Sequence, residues 1–243
     1  MKIDLFCPSR ERINKVLTFI CSIITTAKDI NNINLVLGID DDDPKLDHYL
    51  KIAQNLDFIQ VVRYPEGLIE KIGLCGLWNV MAEQTTNEII AMVGDDMKFE
   101  TPDWDEKILK EFSNKEDNFY LIHCNDGMRG PGNKYANVPP LAVNSFIHRD
   151  YVDTVGHYME EVEPNTFGDT YLDKVFELLN RKIYFHDIMI RHMHFSEYGG
   201  KDQVSVNIEK TREGIWDDPT FFQEKLMPEI LKEVEIIKKK IAK

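Results

Sequence analysis

The sequence predicts an α/β protein with a mostly parallel, doubly wound central sheet, flanking helices and a helix at its C-terminal end. Three observations carry that expectation. Short apolar runs alternate with amphipathic segments through the first hundred residues. The runs are short and largely apolar, as in buried strands. Short polar motifs follow three of them, where the carboxyl ends of parallel strands would gather a ligand site.

Ile3 to Cys7 is the first strand and stops at Pro8-Ser9-Arg10. From Arg12 to Ala27, apolar residues at 13, 16, 17, 20, 23 and 24 recur at helical spacing. Ile33 to Ile39 is a second strand, ending in four aspartates, Asp40 to Asp43. A helix near Pro44–Asn55, a strand from Phe58 to Val62, a helix from Ile69 to Gln84 and a strand from Glu88 to Val93 follow. That last strand runs into Gly94-Asp95-Asp96.

The second half reads less regularly. Strands are expected at Phe119–Cys124, at Leu141–Ile147 and, as one or two, within Ile183–His194. Asn125 to Pro140 reads as a long Gly/Asn/Pro-rich loop, of a kind often functional. Asp169–Leu179 has helical spacing, Ser196–Gly214 reads as a mobile polar flap, and Pro219–Ile241 as a terminal helix. The expected organisation is a main domain over 1–215, with a donor half of about 1–100 and an acceptor half of about 101–215, and a helical extension over 216–243.

Composition limits the function. The net charge of −13 argues against a protein gripping nucleic acid along an extended phosphate track, while leaving a modified base open as a substrate. No apolar run is long enough to span a bilayer and no signal-peptide pattern opens the chain, so the expected location is cytoplasmic. The four cysteines, Cys7, Cys21, Cys75 and Cys124, are widely spaced in apolar stretches and read as buried free thiols.

Asp95 and Asp96 are the first candidates for chemistry. Two adjacent carboxylates after a buried strand repel each other, and a hard cation such as Mg2+ or Mn2+ offsets that repulsion while bridging a diphosphate. His192 and His194 fall on one face of a strand and could complete a metal shell begun by carboxylates.

Phe6-Cys7-Pro8-Ser9-Arg10, Gly38-Ile39-Asp40-Asp41-Asp42, Gly76-Leu77-Trp78-Asn79 and Met92-Val93-Gly94-Asp95-Asp96-Met97 with Thr101-Pro102-Asp103-Trp104-Asp105 together resemble family 2-like glycosyltransferases of the GT-A fold. The likeness covers about Lys2 to Glu213. It implies transfer of a sugar from a nucleoside diphosphate sugar to a hydroxyl of a glycan or other acceptor, with Mn2+ or Mg2+. Pro8, Ser9, Arg10, Asp40, Asp41 and Asn79 would bind the donor. Asp96 would ligate the metal directly and Asp95 would contact ribose or support the metal, because Met97 stands where many members carry a further acid. His194, with His192 close behind, would add to the metal. Gly199-Gly200-Lys201 resembles the family's phosphate-covering segment, so Lys201 and Arg212 would face the diphosphate.

Gly168-Asp169-Thr170 resembles the family's base-bearing helix, with Gly168 where a Glu-Asp pair is usual. It makes Asp169 the first candidate general base of an inverting reaction and Asp173 the second; an N-cap role for Asp169 is the competing reading. Trp104, Asp126 and Arg129 are expected at the acceptor. A nucleotidyltransferase of related fold would open with a Gly-rich basic loop, which Pro8-Ser9-Arg10-Glu11-Arg12 is not. A non-catalytic nucleotide- or sugar-binding scaffold would have little use for the acids and late histidines together.

Overall fold

A computed structural model describes residues 1–162, 166–195, 199, 202–212, 215 and 220–242. The first half follows the expected alternation. Strands β1 (Ile3–Pro8), β2 (Ile33–Asp40), β3 (Ile59–Tyr64) and β4 (Ile89–Met92) are separated by helices α1 (Ile13–Thr26), α2 (Leu46–Asn55) and α3 (Leu68–Glu83), the last kinked at Gly73. The second half adds β5 (Met97–Phe99), α4 (Trp104–Ser113), β6 (Leu121–Asn125), β7 (Phe146–His148), α5 (Asp150–Val155), α6 (Gly168–Leu178) and β8 (Lys182–His192). Among the described residues α7 (Gln203–Arg212) and α8 (Met227–Ile241) follow, the second preceded by a π-helical turn at Phe222–Leu226.

The sheet order is β3-β2-β1-β4-β7-β6-β8-β5 among the described residues. β1 to β4 pair in parallel; β7 runs antiparallel to both of its neighbours, and β5 antiparallel to β8. The parallel block explains why β1, β2 and β4 are so largely apolar, for both of their faces are covered, whereas β3 at the edge carries Gln60 and an exposed Arg63. Ile3, Leu5 and Cys7 point to a core closed by α1, α2 and α4. Phe6, Val36, Ile90 and Met92 point to the opposite core, closed by α3, α5, α6 and α8.

Some expectations change. The strand expected over Leu141–Ile147 shrinks to Phe146–His148, because side chains replace ladder bonds in the segment before it. The Asn144 carboxamide accepts from the Cys124 amide (2.8 Å), and Asp173 accepts from the Ala142 amide (3.0 Å). The flap expected over 196–214 contains α7, whose first turn is tied by Asp202 accepting from the Ser205 amide (2.9 Å). Cys7, Cys75 and Cys124 are buried, but Cys21 is exposed on the outer face of α1.

The C-terminal helix is fastened by one buried carboxylate. Glu233 accepts from the Tyr151 hydroxyl on α5 and the Tyr171 hydroxyl on α6, both at 2.7 Å, and pairs with His157 at 3.0 Å. Leu226, Ile230, Val234 and Ile237 bury alongside it. The bond to Glu233 raises the His157 pKa above its usual value, against the lowering effect of burial.

Glu233→Ala leaves two buried tyrosine hydroxyls and the half-buried His157 without their acceptor and should cost about 3–5 kcal/mol in urea unfolding. The His157 pair should add a pH dependence. A histidine whose folded pKa is raised contributes stability that is full below about 6.5 and is lost as pH rises through the higher folded value. The difference between wild type and Glu233→Gln should therefore narrow between slightly acid and alkaline pH.

Candidate active site

The site lies at the carboxyl ends of β1, β2 and β4, where a doubly wound sheet opens its crevice. Asp95 is 4% exposed just beyond β4, and its carboxylate is met from two sides. Ser9 Oγ, one residue past β1, donates to Oδ2 at 2.7 Å, and Arg12 Nη1 donates to Oδ1 at 3.1 Å. Burial nevertheless lifts the Asp95 pKa to about 6, with the neighbouring Asp96 adding to the rise and Arg12 opposing it.

Asp96 takes the opposite course. Burial would raise its pKa, but the bond and charge of His192, helped by Arg12 and Lys15, outweigh that and hold it below the usual range. His192 Nε2 lies 3.5 Å from Asp96 Oδ1. Its own pKa is raised in spite of burial, by Asp96 first and then by Asp126 and Asp169. Those contributions bring both further acids within electrostatic reach of the Asp96–His192 pair. The backbone locks the same contact, since the Met193 amide donates to Asp96 O (2.7 Å) and the His192 amide to Asp126 O (2.9 Å). Gly94 makes room for it: a Cβ there would sit 2.7 Å from Asp96 Oδ1.

At the crevice edge, Arg10 grips Asp42 with both terminal nitrogens (2.7 and 2.9 Å) and Asp40 with one (3.0 Å). Pro8 is paired with Gly38 in the β1–β2 ladder, and Asp41 is bonded to Arg63 at 2.6 Å. Asp43 is structural: it accepts from the Glu11 and Lys45 amides and so links the β1 loop to the start of α2. His194 packs against His192 with ring centroids 5.3 Å apart. Among the described residues, no group of three or more histidine, cysteine or acidic side chains is arranged to hold a metal by itself. The Asp96–His192 pair offers one oxygen and one nitrogen donor, which suits a Mn2+ or Mg2+ ion that takes its other ligands from phosphate and water.

Asp169 lies in the first turn of α6, with Phe167 at the N-cap position, so the capping reading does not hold. Its Oδ1 accepts from the Thr170 amide at 2.7 Å. The glycine before it is a packing requirement, since a Cβ at 168 would lie 3.0 Å from Cys75 Sγ. Asp126 holds its own loop through the Met128 and Arg129 amides (2.8 and 3.0 Å), with Arg129 Nη1 3.7 Å from Oδ2.

Three expected site residues are elsewhere in the structure. Trp104 is fully buried between Phe99 and Phe146, so neither ring face can meet a sugar. Asn79 spends its carboxamide on the Tyr158 and Met159 amides, Met159 O and Glu161, bracing α3 against that segment rather than meeting a donor. Asp173 has both oxygens on Lys182 (2.8 and 2.9 Å) and one on the Ala142 amide, and is not free to take a proton from substrate. Lys201 and the side chain of Arg212 lie outside the described residues.

Arg12 is the principal site residue that sequence reading passed over. Besides Asp95, it holds Asp202 with Nε and Nη2 (2.8 and 2.6 Å) and Ser205 Oγ with Nη2 (2.7 Å). A signal was present, for a cation at a helix N-terminus opposes the helix dipole and calls for an anionic partner. Tyr49 was also missed; its hydroxyl takes the Arg12 amide (3.1 Å) and lies 3.4 Å from Ser9 Oγ.

With this geometry the chain has the GT-A architecture, a Rossmann-like sheet with its acidic crevice at the end of β4. Solved structures agree. The S. aureus TarS fragment 1–349 in complex with UDP-GlcNAc superposes with a TM-score of 0.61 at 13% identity, over 86% of this chain and 64% of that one. The mannosyltransferase PcManGT from Pyrobaculum calidifontis, in complex with GDP-Man and Mn2+, matches with a TM-score of 0.61 at 12% identity, over 99% of this chain and 75% of that one. This chain thus spans less than two thirds of the first and three quarters of the second. No protein-family model and no curated protein matches the sequence.

Arg12→Ala leaves Asp95 buried without its cation and should destabilise the fold by about 3 kcal/mol in urea unfolding. Arg10→Ala frees the exposed Asp42 but also takes one bond from the buried Asp40, and since Arg10 is itself part-exposed it should cost about 1–2 kcal/mol, less than Arg12→Ala, in the same measurement.

Proposed function

We propose that the protein is a metal-dependent glycosyltransferase, moving a sugar from a nucleoside diphosphate sugar to an acceptor hydroxyl with inversion. The observation that carries this reading is the convergence of Asp95, Asp96 and His192 at the end of β4, with the charge of Asp169 helping to raise the His192 pKa. The fold supports it, since architectures of this kind hold UDP-GlcNAc in one solved structure and GDP-Man with Mn2+ in another.

In this reading Arg10, Asp40 and Asp41 meet the base and ribose at the crevice edge. Asp95, braced by Ser9 and Arg12, supports the ribose side of the diphosphate. Asp96 and His192, with His194 beside them, are the side chains that would hold Mn2+ or Mg2+, which when bound neutralises charge on the departing diphosphate. Asp169 removes the proton from the acceptor hydroxyl as its oxygen attacks the anomeric carbon, and the bond to the nucleoside diphosphate breaks on the opposite side. Asp126, Arg129 and their loop line the acceptor entrance.

The test is a panel of nucleotide-sugars incubated with Mn2+, following donor hydrolysis and transfer to simple glycosides. Asp96→Asn should abolish cation-dependent donor binding by calorimetry. Asp169→Asn should keep donor binding and lower turnover by about 10²–10⁴-fold. Donor affinity unaffected by excess chelator, or a product with retained anomeric configuration, would overturn the reading.

A further inference from the structure

Arg12 and Lys15 stand three residues apart at the start of α1, so both side chains leave the same face of the helix beside the crevice. Both are committed to one carboxylate from far along the chain. Arg12 presents its guanidinium fork to Asp202 at 2.8 and 2.6 Å, and Lys15 Nζ reaches the same group at 3.0 Å. The remaining Arg12 nitrogen is held from behind by Asp95, which fixes the direction of the fork. Arginine forks that accept a carboxylate in this two-point geometry accept a phosphate equally well.

Asp202 differs from the other acids of the crevice in its origin. It opens α7, and Ser205 one turn on is bonded to the same arginine. The contact therefore ties the first turn of α7 across the mouth of the site. Among the acids that meet Arg12 it is also the more exposed, its side chain 32% accessible against 4% for Asp95, and so the one able to leave.

We propose that Arg12 and Lys15 form an anion subsite for the phosphates of a nucleoside diphosphate, and that Asp202 fills it as an internal counterion which the phosphates displace. The proposal rests on the crevice being a nucleotide-sugar site. A diphosphate carries more charge and more acceptor oxygens than one carboxylate, so it can satisfy both cations at once. The tethered carboxylate competes at high effective concentration, and the observed affinity falls by the fraction of molecules in which it has let go. Asp202 would thus set how much anion is needed before α7 is freed from the mouth of the site.

Inorganic pyrophosphate is the probe, titrated calorimetrically into the full chain. Asp202→Asn can still cap α7 through its side-chain oxygen but loses the ionic bonds to both cations. It should bind pyrophosphate on the order of tenfold more tightly than wild type. Glu235→Gln, an exposed change of the same charge on α8, should bind as wild type does. Adding Lys15→Ala to Asp202→Asn should remove most of the gain. An Asp202→Asn affinity equal to or weaker than wild type, or an equal gain in Glu235→Gln, would overturn the proposal. The two readings fail separately: tighter pyrophosphate binding without any nucleotide-sugar turnover would leave the subsite standing and reject the glycosyltransferase. Turnover with no effect of Asp202→Asn would do the reverse.

Discussion

Two carboxylates at the end of one buried strand are the constraint on which the remainder of this molecule depends. Asp95 is almost wholly withdrawn from water, and a bare charge there would be expelled from the fold. Its partners, Ser9 and Arg12, both sit just past β1, so the parallel β1–β4 pairing that builds the sheet also delivers the groups that make Asp95 tolerable. Asp96 solves the same problem in the other direction. It reaches His192, at the end of β8 and paired with Met97 on the edge strand β5. The acid pair therefore joins the regular first half to the irregular second half, and the crevice is the seam between them.

How much of this was legible in the sequence follows from the range of the interactions. Strands β1, β2 and β4 declare themselves because each is buried on both faces, the edge strand β3 by its short apolar run, and their helices because each shows one apolar stripe. The acidic crevice was visible for a related reason: its residues follow strands directly, so chain order alone puts them at one end of the sheet. In the second half β5 and β7 have three residues each, too few for a period, and the backbone before β7 is satisfied by Asn144 and Asp173 side chains. No local pattern reports such bonds. Arg12 signalled its need for an anion by its place at the start of α1, but not which one, for Asp95 and Asp202 lie 83 and 190 positions away.

The misplaced residues share a cause. Trp104, Asn79 and Asp173 have the right chemistry for sugar stacking, hydrogen bonding and proton transfer, and each lies in or beside a segment that carries the family resemblance. Whether such a group faces a ligand or the interior is decided by the opposite face of the sheet, which sequence does not display. The aromatic cluster of Phe99, Trp104 and Phe146 closes one core under β5, and Asn79 and Asp173 brace the other. They carry the platform and leave the chemistry to groups nearer the crevice.

The anchoring of α8 through Glu233 has a consequence for how the molecule comes into being. The helix supplies one wall of a core whose other walls are α3, α5 and α6, yet it leaves the ribosome after all of them. Until it arrives, Tyr151 and Tyr171 have no acceptor, and the helix that carries Asp169 lacks its backing. The ladder of β1 to β4 and helices α1 to α3 come first in the chain and can pair during synthesis, while α4 on one face and α5, α6 and α8 on the other are still to follow. The nascent protein would then pass through an interval with half of its crevice formed and the other half awaiting one late helix.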